Sequence, residues 1–274
     1  MFKQKDAIVR LLRDNDPETV HLVKEQLAEG GAEVIGELES MLALDDETVT
    51  FHVREVLAEI DVDEALNELT LLCPMFPEHG DLEYGNWLVA RAYLPGIDLK
   101  PYKEEIETWA QEIAPLIELV QDPAERIRTL GTFLSDELGF EGNTQDYYNA
   151  DNMLLPRLLD SRLGIPISLT TLFMMVGQRA GMQIEGINFP GNFLARHEGI
   201  MFDPFEKGRI LSHEDCERIL SRQNLPASED HFISATPRVM FRRTLANLLY
   251  VAKNESNERE AAVLAGWIRG LDRK

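Results

Sequence analysis

From the start of the chain to about residue 140, apolar residues recur at three- and four-residue spacing. That is the period of a helix with one buried stripe. Ile8, Leu11 and Leu12 fall on one face, and so do Val20, Val23 and Leu27. Asp16-Pro17 starts the second helix, because a proline at the first helical position sacrifices no hydrogen bond, and Gly30-Gly31 ends it. The string Val23-Lys24-Glu25-Gln26-Leu27-Ala28-Glu29 returns thirty residues later as Val53-Arg54-Glu55-Val56-Leu57-Ala58-Glu59, each copy behind an acidic cluster. This self-similarity predicts a HEAT-like helical segment over residues 1–70, in which each unit hides its stripe on a neighbour. Two units are too few to stand alone, so they are expected to dock on the helices beyond residue 70.

Residues 71–140 read as further helices packed on a core. Leu82, Trp87, Leu88 and Ala90 mark one helix, Tyr102 to Ile113 a second, and Asp122-Pro123-Ala124-Glu125 starts a third through Ile127, Leu130, Phe133 and Leu134. The pattern changes at Gly142-Asn143, where a polar loop containing Tyr147-Tyr148 runs to Asn152. A helix over Met153 to Leu163 comes after it. The next, opened by Gly164-Ile165-Pro166-Ile167-Ser168, is apolar nearly all round to Ala180, which predicts a central position. Three short runs, Ile184–Phe189, Asn192–Arg196 and Ile200–Asp203, are separated by turn residues and predict an antiparallel sheet. Helices over 214–220, 239–253 and 257–271 close the chain, the last two as a TPR-like hairpin. The expected fold is therefore α+β and mostly α, with a core over 141–212 and a helical region over 213–274.

Charge narrows the partners. The chain has 274 residues and a net charge of −21, a field that repels phosphate backbones and anionic lipid surfaces. No nucleic acid and no membrane are expected as partners. Two cysteines, Cys73 and Cys216, do not make a disulfide framework. The start Met1-Phe2-Lys3-Gln4-Lys5-Asp6 lacks an apolar leader core, so a cytoplasmic location is expected. The six histidines show no paired metal spacing, and no phosphate loop or dinucleotide fingerprint is present, so no metal and no cofactor are expected.

A central helix followed by an antiparallel hairpin is an arrangement that suits nucleophile chemistry. A nucleophile in the first turn sits at the positive end of the helix dipole, a base on one strand reaches it, and a residue on the next strand orients the base. The positions in question hold Ser168, Asn192 and Asp203. A reversal centred on His197-Glu198 would pair Asn192 with Asp203, and a slip of two residues would still leave them on one sheet face. His197, five positions from Asn192, would face the other way and is a poor substitute base. The plain structural alternative is a polar cluster, in which Ser168 caps the helix and Asn192 hydrogen-bonds Asp203.

The strings Asp146-Tyr147-Tyr148 with Asn152, Gly164-Ile165-Pro166-Ile167-Ser168-Leu169, Glu185-Gly186-Ile187-Asn188-Phe189-Pro190-Gly191-Asn192-Phe193-Leu194-Ala195-Arg196, and Phe202-Asp203-Pro204-Phe205 resemble the SirB-type transglutaminase-like proteins of bacteria. The resemblance implies a papain-like, transglutaminase-type core with helical flanks. Active transglutaminase-like enzymes place Cys, His and Asp where this chain has Ser168, Asn192 and Asp203. SirB-type proteins favour Ser at the first position and usually keep His at the second, so Asn192 is a further departure. An asparagine amide has no useful proton affinity near neutral pH, and a serine hydroxyl without a base is a weak nucleophile.

The expected function is that of a catalytically degenerate transglutaminase-like protein that binds or regulates a protein or peptide. The alternatives are a serine-dependent hydrolase or acyltransferase with a non-standard base, and a helical-repeat adaptor. Asn152 is a candidate oxyanion-side donor. Arg238, Arg242 and Arg243 form a candidate patch for an acidic partner, or else pair with acidic neighbours.

Overall fold

The computed structural model describes residues 5–226 and 228–273. Met1–Gln4, cited above for the lack of a leader, lie outside the described residues. The chain divides into two compact units: one takes the chain up to Leu69 with Leu88–Asp98, the other Thr70–Trp87 with the chain from Leu99 onward.

The first unit is helical. It contains α1 (Lys5–Leu12), α2 (Pro17–Ala28), a 3-10 turn, α3 (Ile35–Leu42), most of α4 (Glu47–Met75) and the end of α5 (Leu82–Tyr93). The Asp16 carboxylate accepts from the backbone N–H groups of Glu18 and Thr19, an N-cap that satisfies two of the donors a helix start leaves open. Leu12, Leu27, Leu38, Met41, Val49, Val53, Val56 and Ile60 share one core. The two repeated strings occupy unlike settings. The first ends a 12-residue helix, whereas the second lies inside α4, which runs 29 residues.

The second unit carries α6 (Lys100–Leu119), α7 (Pro123–Gly131), a π-helical turn over Thr132–Glu137, α8 (Leu155–Ser161), α9 (Pro166–Arg179), α10 (His213–Arg222), α11 (Pro237–Asn254) and α12 (Glu258–Leu271). Two-residue strands β1 (Glu141–Gly142) and β2 (Leu163–Gly164) pair in parallel. The main sheet is an antiparallel meander of β3 (Ile184–Ile187), β4 (Leu194–His197), β5 (Ile200–Asp203) and β6 (Arg209–Leu211). The expectation of a mostly α, α+β fold with a small antiparallel sheet holds, and α9 is the central helix. Leu169, Leu172, Phe173 and Val176 are all buried on it.

Successive side chains of a strand point to opposite faces. Ile184, Ala195 and Phe202 share a core with α9. Ile187, Leu194, Met201 and Leu211 face the other way and join Cys216 and Leu220 of α10. The hairpin register differs from expectation. The reversal is the two-residue turn Glu198-Gly199, with φ of 46° and 84°, the left-handed pair that matches the twist of the flanking strands. Ala195 therefore faces Phe202 and His197 faces Ile200. Asn192 falls before β4 and does not pair with Asp203. Strand β6 was not legible because it is three residues long and follows Lys207-Gly208, both at positive φ.

Candidate functional site

Pro166 opens α9 because its missing N–H costs nothing at that position. Ser168 therefore stands in the first turn, with the helix N-cap at Ile165. Its Oγ accepts from the Ile165 amide at 3.0 Å and donates to the Ile165 carbonyl at 3.1 Å. The side chain is 5% exposed. Among the described residues, no imidazole or carboxylate hydrogen-bonds this hydroxyl.

Asn192 and Asp203 do come together. They line a cleft of about 190 Å³ with Glu206, Arg209, Asp215, Arg218 and Arg222 among its walls. Asp203 follows Met201 by two residues, so the pleat turns it toward α10, away from the face that Phe202 presents to α9. Ser168 is not part of the lining. The three sequence-predicted positions thus divide: two open on a polar cleft, and the third is closed on its own helix start. The Asn192–Asp203 hydrogen bond of the polar-cluster alternative is also missing among the described residues, and Asp203 Oδ1 accepts from the Phe205 amide at 2.9 Å.

Burial pushes the Asp203 carboxyl up to about 6, with the neighbouring Glu206 charge adding to the rise and the Phe205 amide opposing it. Across the cleft, the Asp215 carboxylate is held below its usual range, chiefly by the Ser212 hydroxyl. Asp215 accepts from Arg209 at 3.2 Å and also pairs with Arg218, while Arg209 reaches Glu206 at 2.7 Å. Sequence reading missed Arg209 and Asp215 as cleft residues. The Ser212-x-x-Asp215 capping pair was the available signal, but it marks a helix start and not a site.

Asn152 is buried and fully engaged. Its Nδ2 donates to the carbonyls of Asp146 at 2.7 Å and Tyr147 at 3.1 Å, and its Oδ1 accepts from Asn143 Nδ2 at 2.9 Å. The amide ties down the polar loop, and neither N–H is left for an oxyanion. His197 is no substitute base. Its Nδ1 donates to the Gln183 carbonyl at 2.9 Å, and the ring is 1% exposed.

The arginine patch also divides. Arg238 donates to the Leu271 carbonyl through Nε at 2.7 Å, and Arg242 donates to Asp272 through Nε at 2.6 Å. Both are spent on the end of α12. Arg243 makes no ion pair or hydrogen bond among the described residues.

The family model for the transglutaminase-like superfamily matches residues 100–246, more than half of the chain. A UPF0162 protein of Xylella fastidiosa is 30% identical over 194 residues, covering 67% of this chain and 69% of that protein. A UPF0162 protein of Pseudomonas aeruginosa is 29% identical over 167 residues, covering 59% of this chain and 61% of that one. F-box only protein 21 of Homo sapiens is 33% identical over 143 residues, covering 48% of this chain but 22% of that longer protein. No solved structure matches the chain. No helix among the described residues is long and apolar enough to cross a membrane. With the α9–sheet core in place, and with the match spanning it together with the helices on either side, the chain belongs to the transglutaminase-like superfamily.

Proposed function

We propose that this is a catalytically degenerate transglutaminase-like protein of the cytoplasm, which acts by binding a protein or peptide segment. One observation carries the reading. Among the described residues the Ser168 hydroxyl is closed on the Ile165 backbone with no titratable partner, and by the sequence resemblance Asn192 stands where the family pattern has its base. General-base catalysis contributes roughly 10²–10⁴-fold, and an asparagine amide supplies none of it. The cleft at Asn192 and Asp203, at about 190 Å³, is smaller than the roughly 300–1,000 Å³ of a typical small-molecule site. It suits one polar side chain of a larger partner.

The test is an assay of ester hydrolysis and amine transfer onto glutamine peptides by the full chain, beside Ser168→Ala, with a fluorophosphonate probe of the folded protein. The expected result is no turnover above Ser168→Ala and no labelling. Turnover that disappears in Ser168→Ala overturns the reading.

A further inference from the structure

Arg243 is half-buried on α11 and has no acidic partner among the described residues, in a chain with 48 Asp and Glu. Its neighbours Arg238 and Arg242 are both paired. Seven residues on, two turns along the same helix face, lies Tyr250. The ring of Tyr250 meets Tyr148 with centroids 4.7 Å apart. Tyr148 in turn packs edge-on against Tyr147 at 5.1 Å. Arg243 is close enough to Tyr147 that its charge opposes the upward push of burial on that phenol. Tyr148 and Tyr250 are 57% and 47% exposed. Among the described residues, none of the three phenol hydroxyls makes a hydrogen bond.

We infer that Tyr147, Tyr148, Tyr250 and Arg243 form a docking surface for an acidic peptide segment, whose carboxylate pairs with Arg243 while its apolar side chains lie on the tyrosine rings. The guanidinium supplies two parallel N–H donors suited to one carboxylate. Exposed tyrosines beside an arginine are the residue types that dominate binding energy at protein interfaces. The surrounding field decides the class of partner. At −21 overall, the chain repels an extended polyanion such as a nucleic acid or an anionic bilayer. A single carboxylate is attracted at close range by the one guanidinium, with more distant charges screened beyond about 8 Å at physiological salt. This inference does not rest on Ser168 being inert. The loop that carries Tyr147 is fixed by Asn152, whatever happens at α9.

The experiment is calorimetric titration of the full chain at about 0.15 M salt with acetyl-Leu-Glu-Leu-amide (the Glu-Leu peptide), which carries one carboxylate, using its Gln and Lys counterparts (the Gln-Leu and Lys-Leu peptides) as controls. The Glu-Leu peptide is expected to bind, and its affinity to fall about tenfold or more in Arg243→Gln. Arg243→Lys, which keeps the charge without the planar fork, is expected to fall in between. Tyr148→Ala with Tyr250→Ala is expected to weaken binding about as much as Arg243→Gln. These two rings are exposed, so that variant carries the test if Arg243→Gln does not fold. Arg242→Gln is expected to stay within about twofold of the parent protein. Equal affinity of the parent and Arg243→Gln, equal binding of the Gln-Leu peptide, or no heat from the Glu-Leu peptide each overturns the proposal. So does Arg243-dependent binding confined to duplex DNA or phosphatidylglycerol vesicles.

Discussion

The Ser168 hydroxyl and the Ile165 backbone satisfy each other twice, as acceptor from the amide at 3.0 Å and donor to the carbonyl at 3.1 Å. This is half of a capping box, in which a third-position side chain reaches back to the N-cap amide. Removing the hydroxyl leaves a buried N–H without its acceptor. Ser168→Ala is therefore expected to lose about 1–2 kcal/mol of stability, read as a lower urea midpoint at unchanged slope. An unchanged midpoint would mean that the hydroxyl does not hold the helix start.

Asp203 sets a pH dependence. Burial raises its carboxyl from 3.8 to about 6. Between those values the folded chain holds a proton that the unfolded chain has released, so stability falls as pH rises through that window. A rise of two units corresponds to roughly 2–3 kcal/mol between the two limits. Asp203→Asn keeps an oxygen for the Phe205 amide and does not titrate. It is expected to match the parent protein near pH 4 and exceed it above pH 7 in urea titrations. The reverse ordering would refute the burial account.

Asn152 joins three partners across the polar loop. Asn152→Ala leaves them unpaired, at about 1–3 kcal/mol for a buried group. Asn152→Asp aims carboxylate oxygens at the Asp146 and Tyr147 carbonyls and is expected to cost more. Hydrogen exchange over 143–152 is expected to speed up in both variants, more so in Asn152→Asp. Faster exchange in the alanine variant than in the aspartate variant would contradict this.

Arg162 lies over both Trp109 and Phe140, its guanidinium carbon 4.8 and 4.7 Å from the ring centroids, and donates to Glu105 at 3.0 Å. Arg162→Lys keeps the charge and loses the flat stacking surface. It is expected to cost about 1 kcal/mol in thermal unfolding. A neutral outcome would show that charge alone suffices.

Local patterns made much of this chain readable. The stripes at three- and four-residue spacing marked the helices, Asp16-Pro17 and Asp122-Pro123 marked starts, and the nearly all-apolar run after Ser168 identified the central helix. These signals depend on periodicity and on backbone groups a few residues apart. The hairpin register escaped because it turned on which two residues took left-handed conformations, and Glu198-Gly199 did so in place of His197-Glu198.

The helical, superfamily-type core and the presence of an amide at position 192 are written in the order of residues. The shared cleft of Asp203 and Asn192, which Ser168 does not line, exists only in the folded chain, because a one-residue step along β5 sends a side chain to the opposite face of the sheet. Folding likewise chose which arginine stays unpaired. Arg242 is satisfied where the end of α12 folds back against α11, and Arg238 both there and by Glu78 at 3.6 Å, and contacts across thirty residues or more leave no periodic trace in the chain.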